Sequence, residues 1–236
     1  MKEKVLHYIK KKYHKLKGTN LTPPKYKQEL LLIKALKEKG IDSKKLDITC
    51  NHDLGKNYVN GIELGIKYPD SFYGKAQEIS SLVKRYSFYF NGFIDAEGGR
   101  KEMLERFEKF DKAMIVCSED GRNQNVKDSF NIAYFSDFAQ SKFGLCPHQL
   151  NWPGNKECMW TYRFIESCFV GAIPVVFEAT PLGKEFTNGF HILKDSDFNA
   201  EEIPLYDIEK ANENLKLAKA RFFITNEELQ KIKFSI

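Results

Sequence analysis

The stretch "WTYRFIESCFVGAIPVVF" (160–177) has the apolar content of a core helix running into a buried strand, yet Tyr162, Arg163 and Glu166 interrupt it. At 3.6 residues per turn these three side chains fall within one arc of roughly 100°, opposite Phe164, Ile165 and Cys168. A carboxylate on such a lip can accept two hydroxyls, as a ribose would offer, and an arginine can meet a phosphate with two parallel hydrogen bonds. Both charges are expected near the helix start, facing the loop that precedes it. Left unpaired and buried, either would cost several kcal/mol.

Other loops carry groups of matching chemistry. "DAEGGRKE" (95–102) puts two glycines and Arg100 directly before a helical pattern, so backbone amides, helix dipole and guanidinium can converge on an anion. "CPHQLNWPGNKECM" (146–159) is long for a strand-to-helix connection and carries His148, Gln149, Asn151 and Trp152. "EATPLGKEF" (178–186) begins with Glu178. Earlier in the chain, "CNHDLG" (50–55) offers His52 and Asp53, for which a surface or core role is the plainer reading. His148, Asp53, His52 and Glu178 are the residues that could act as a base, a choice that geometry rather than sequence makes. The acidic triplet "DSD" (195–197) reads as a turn and helix cap.

The elements that must position these groups follow from periodicity. From Tyr86 onward, strand patterns (86–94, 112–118, 142–147 and 172–177) alternate with helical ones (101–110, 134–141 and 159–171). Strands separated by single helices imply right-handed crossovers and a parallel sheet covered on both faces. "AMIVC" and "IPVVF" are continuous apolar runs, as doubly buried strands require. The expected fold class is therefore α/β, a Rossmann-like parallel sheet with helices on both faces, preceded by a short, largely helical N-terminal segment. The division is residues 1–80 against 81–236, the second unit ending in a helix over 206–223. In open parallel sheets ligands bind beyond the carboxyl ends of the strands, where the three loops lie.

Composition sets bounds. The net charge of +5 suits an anionic ligand or a membrane surface and is too weak for a dedicated DNA binder. No apolar run reaches the ~20 residues of a membrane span. The first seventeen residues hold seven lysines with Val5, Ile9, Tyr13 and Leu16 at helical spacing, an amphipathic basic helix whose lysine face is either solvated or laid on anionic lipid. Without an apolar core that segment reads as no secretory signal, so the expected location is cytoplasmic, at the inner membrane face if residues 1–18 touch lipid. Its aromatics sit at core spacing rather than displayed for stacking, which argues against nucleic acid as a partner. The five cysteines (Cys50, Cys117, Cys146, Cys158 and Cys168) lack paired zinc spacing and read as buried free thiols.

"SKFGLCPHQ…MWTYRFIESCFVGAIPVVF" resembles the nucleotide-sugar-binding half of exostosin-like glycosyltransferases, and "FYFNGF…GGRKEML" resembles their Phe-x-Gly strand followed by an arginine. The resemblance covers about residues 86–200; its most specific part runs from Cys146–Pro147 to Pro174. A milder likeness to fucosyltransferases lies in the Glu-helix-Gly-x-Ile-Pro pattern. The resemblance implies a donor domain of the two-domain GT-B type and transfer of a sugar from a nucleotide donor to a glycan or lipid-linked acceptor without an essential metal or other cofactor. By position, Glu166 would bind the ribose, Arg100 and Arg163 the diphosphate. His148 and Gln149 depart from the family's residues there, and with Tyr162 they complete the candidate donor site. Only some 85 residues precede the donor-like block, short for a second Rossmann domain. The alternative is therefore a non-catalytic nucleotide- or sugar-binding module that takes its acceptor side from a partner chain.

Overall fold

A computed structural model describes residues 27–94, 99–118, 130–150, 159–199 and 202–236. The basic segment 1–18, Asn151, Trp152 and Cys158 lie outside the described residues. The first element is helix α1 (Lys27–Glu38), which buries Leu31, Leu32, Ala35 and Leu36 along one stripe. Strands β1 (Ile48–Asn51), β2 (Lys56–Val59) and β3 (Ile62–Glu63) follow as an antiparallel sheet in that order. This small sheet is the element that periodicity missed in an otherwise helical segment. Its signal was present: Asn60 and Gly61 form the two-residue turn between β2 and β3, with φ of 48° and 79°. Asn-Gly is the pair that tolerates such a left-handed hairpin turn. Helix α2 (Asp70–Ser80) closes the segment.

The main sheet comprises β4 (Tyr86–Phe93), β5 (Ala113–Ser118), β6 (Ser141–Leu145), β7 (Ile173–Val176) and β8 (Leu193–Lys194). Its spatial order is β5-β4-β6-β7-β8, every neighbouring pair parallel, with Phe88 opposite both Ala113 and Phe143. Helices α3 (Arg100–Glu108), α4 (Ile132–Ala139) and α5 (Tyr162–Phe169) supply the crossovers. Short α6 (Lys184–Thr187) and the 3₁₀ turn Asp195–Asp197 flank β8, and α7 (Ile208–Phe222) and α8 (Asn226–Phe234) end the chain. The expected Rossmann-like architecture is thus present. Counted along the chain the order is second-first-third-fourth-fifth, so the direction of winding reverses between β4 and β6.

Period-two alternation along β4 feeds two cores. Tyr89 joins Phe138, Phe164 and Phe169 on one face, whereas Phe88 and Phe90 join Phe107, Phe143 and Phe198 on the other. A third core packs α1 and the small sheet against Ile224 and Ile232, so the C-terminal residues cover the N-terminal segment. Two lysines, Lys67 buried and Lys84 half-buried, tie the layers. Lys67 donates to the carbonyls of Arg221 and Phe223 at the end of α7 and pairs with Glu228 at 2.9 Å. Lys84 donates to Ala139 and Val170 at the ends of α4 and α5, where the negative helix poles favour a cation, although burial lowers its pKa to about 8.

Glycine 144 lets α4 and α5 approach β6. A methyl group there would meet the Phe138 ring at 2.7 Å and the Ser167 Cβ at 2.9 Å. Gly144→Ala is expected to destabilise the fold by about 1–3 kcal/mol through overpacking, read as a lower urea midpoint at unchanged slope.

Candidate functional site

Where winding reverses, the loops after β4 and β6 diverge to opposite faces and leave a crevice between the two strand ends. Three of the expected residues, Arg100, His148 and Arg163, meet there. Gly99, at φ 66°, turns the chain out of the first loop into α3, and the Arg100 guanidinium folds back to donate to the Phe93 carbonyl at 2.8 Å. Arg163, on the first turn of α5, reaches across to the end of β4. Its Nε donates to the Asn91 carbonyl at 3.3 Å and its guanidinium lies 4.3 Å from the centre of the Phe90 ring. Gly92 makes this possible, because any Cβ there would occupy the guanidinium's position. Leu150 packs against Gly99 and thereby joins the loop after β6 to the loop after β4.

His148 sits between these parts, 7% exposed. Its backbone amide donates to Thr180 Oγ1 at 3.0 Å, and its Nδ1 accepts from the Gln149 amide at 3.0 Å. A further hydrogen bond reaches the Trp160 backbone, so the ring fastens the start of the long loop to its end. Burial lowers its pKa to about 4; backbone bonds oppose that shift, and the positive fields of Arg100 and Arg163 add to it. The imidazole is therefore neutral near pH 7 and committed to backbone groups, which suits a loop clasp better than a base. The neighbouring Gln149 is also buried.

The lip expected for Tyr162 and Glu166 does not form. Glu166 is 2% exposed and does not face the loop with Arg163. Its Oε2 accepts from the Tyr134 hydroxyl at 2.8 Å, and its Oε1 from Tyr68 at 3.2 Å and from the Lys27 ammonium at 2.7 Å. A carboxylate removed from water needs donors, and α1, α4 and the residues before α2 supply them. Burial, followed by the charge of Glu166, holds both tyrosines well above the ordinary pKa, so they remain donors. The Tyr162 ring packs edge-on against Trp160 at 4.7 Å and lies beneath Lys27 at 4.4 Å. Lys27, Tyr68 and Tyr134 were not foreseen; they lie 139, 98 and 32 residues from Glu166 in the chain, beyond the reach of any local pattern.

The remaining candidates lie elsewhere. His52 and Asp53 follow β1 in the small sheet, and the Trp160 indole donates to the His52 carbonyl at 3.0 Å. That contact carries the turn to the end of the 146–161 loop, with Asp53 exposed. Glu178 follows β7 and belongs to the 195–197 turn: its amide donates to Asp195 Oδ1 at 2.8 Å and its carboxylate accepts from Ser196. The acidic triplet is a turn, as expected. Asp195 also holds Arg106, and Asp197 caps the Lys194 amide. Of the thiols expected to be buried, Cys146 and Cys168 are, whereas Cys50 is half-buried and Cys117 exposed, because β5 is an edge strand.

The crevice thus combines two guanidinium groups with the first turns of α3 and α5, neither of which has a side-chain cap. Backbone amides, positive helix poles and fixed cations are the groups that can hold an anion, and paired cations suit a diphosphate. Comparison with models of protein families gives no match, nor does comparison with curated proteins.

The depressed His148 pKa fixes a pH dependence. The unfolded histidine takes up a proton below about pH 6.5 while the folded one resists to about pH 4, so stability is complete above the first value and falls through that window. The loss is expected to reach about 3 kcal/mol and to be reduced in His148→Gln, as measured by urea unfolding at stepped pH.

Proposed function

We propose that the chain is a glycosyltransferase of the exostosin-like, GT-B donor-domain kind, which binds a nucleotide-diphosphate sugar and transfers the sugar to a glycan or lipid-linked acceptor. The observation that carries this reading is the convergence of Arg100 and Arg163 at the β4/β6 switch point. In the transfer, an acceptor hydroxyl forms a bond to the anomeric carbon as the bond from that carbon to the diphosphate oxygen breaks, and negative charge grows on the leaving diphosphate. Two fixed guanidinium groups and the amides of two helix starts would stabilise that charge with little reorganisation, which is the main requirement of such a step. The acceptor proton needs another group, because His148 is bonded to backbone. Of the other candidates, His52 and Asp53 lie in the turn after β1 and Glu178 in the turn with Asp195. A membrane-surface role for residues 1–18 would bring a lipid-linked acceptor close.

A second reading, a binding module completed by a partner chain, draws support from residues 27–80. They form two helices and a three-stranded antiparallel sheet packed on the main body rather than a second parallel α/β layer.

A thermal-shift panel of UDP, GDP, CDP, ADP and CMP without metal tests the donor site. At ~100 times its dissociation constant, one nucleotide is expected to stabilise wild type by about 2.7 kcal/mol. The shift should be lost in Arg163→Met and in Gly92→Ala, which displaces the Arg163 guanidinium. No shift from any nucleotide removes the reading. Release of the sugar from the matching donor separates enzyme from binding module.

A further inference from the structure

A cavity of about 430 Å³ lies where the N-terminal segment meets the C-terminal helices, and it shares no residue with the crevice between β4 and β6. Its volume is in the range of small-molecule sites. The chain creates it at a seam between two cores. Helix α7 ends at Phe222, and the link to α8 sends Phe223 into the core around α5 and Ile224 into the core under the small sheet. These two side chains diverge. Tyr73 of α2 approaches from the other side, half-buried, and meets the Phe223 ring edge-on with 5.7 Å between centroids. The buried part of the lining is therefore apolar and aromatic.

The rim is charged. Lys39, just beyond α1, pairs with Asp70 at the start of α2 at 2.5 Å. Lys219, in the last turn of α7, lies over the Tyr73 ring at 4.4 Å and, among the described residues, pairs with no carboxylate. The two acidic residues in the first turn of α8 are already engaged, Glu228 by Lys67 and Glu227 by Lys231. Two lysines against one aspartate leave the lining with one surplus positive charge. Asn226 opens α8, whose positive pole adds to it. An ammonium has three N–H donors, so Lys219 can keep the ring face and still bond an anion.

We infer that this cavity binds a small monoanion with a flat apolar body, an aromatic carboxylate. Its ring lies against Phe223, Ile224 and Tyr73, and its carboxylate accepts from Lys219. A dianionic phosphate suits the cavity less well, because its second charge exceeds the surplus and meets Asp70. Bound there, the ligand joins α2 to α7 and α8, and so ties the N-terminal segment to the main body.

The experiment titrates benzoate, benzamide and phenyl phosphate into the protein, followed by calorimetry and amide NMR spectra. Benzoate is expected to bind about tenfold more tightly than benzamide, its uncharged match in shape, as one hydrogen bond to a charged group gives. It should also bind more tightly than phenyl phosphate, with amide shifts at Tyr73 and residues 223–226. Lys219 is exposed, so its variants keep the fold. Lys219→Met and Lys219→Gln should abolish the preference for benzoate over benzamide, and Lys219→Arg should retain it. Asp70→Asn, which frees Lys39, should tighten benzoate further. Arg163→Met should leave benzoate binding unchanged, which separates this cavity from the crevice and its fate from that of the donor reading. Equal binding of benzoate and benzamide overturns the inference, as does a preference that survives in both neutral Lys219 variants. Tighter binding of phenyl phosphate overturns the carboxylate assignment. Benzoate shifts at Arg100 and Arg163 instead, or no binding of any probe, overturn the site itself.

Discussion

Helix α5 is buried along almost its whole length, yet its first five residues include an arginine and a glutamate, and the satisfaction of those two charges governs the surrounding structure. Neither group can be left without partners in a low-dielectric interior, where an uncompensated charge costs several kcal/mol. They do not neutralise each other. Arg163 turns toward the end of β4 and takes a carbonyl and an aromatic face, whereas Glu166 turns toward the N-terminal segment and gathers an ammonium and two hydroxyls. The first choice makes the strand ends cationic, and the second fastens α1 and the residues before α2 onto the parallel sheet.

Small residues make both arrangements possible. Gly92 leaves the space that the Arg163 guanidinium fills, and Gly144 lets α5 lie close enough to β6 for its polar residues to reach past the sheet. In each case the need is close approach rather than an unusual backbone angle. The lysines act at the opposite poles. Lys84 neutralises the carboxyl ends of α4 and α5, and Lys67 does the same at the end of α7 while holding Glu228. Cations are therefore stationed at helix C-termini, where they meet the negative helix poles, and at the switch point between β4 and β6.

Alternation of strand and helix after Tyr86 was legible because each crossover is a local unit: an apolar run of strand length, a turn, and a helical stripe. The reading of 195–197 as a turn held for the same reason, since Asp197 caps an amide three residues away. The small sheet escaped because its strands are two to four residues long, below the length at which alternation stands out, although Asn60–Gly61 marked its turn. Among the site residues, Arg100 was legible from its place after two glycines at a helix start. His148 was legible as a loop residue but not as a clasp, because its partners at Trp160 and Thr180 come from later segments.

The sequence by itself determined the parallel α/β class, the loops that carry the polar groups, and the presence of two charges on a helix too apolar to ignore them. It could not determine the strand order, because periodicity reports which face of an element is buried and not which neighbour it meets. The order β5-β4-β6 set the crevice between β4 and β6, and so decided that Arg100, His148 and Arg163 share it while Glu178 does not. The same holds for Glu166. Helical geometry placed it on one arc with Arg163, but the direction a buried charge turns is decided by where its donors lie. Those donors, Lys27, Tyr68 and Tyr134, are brought together only by the packing of distant segments.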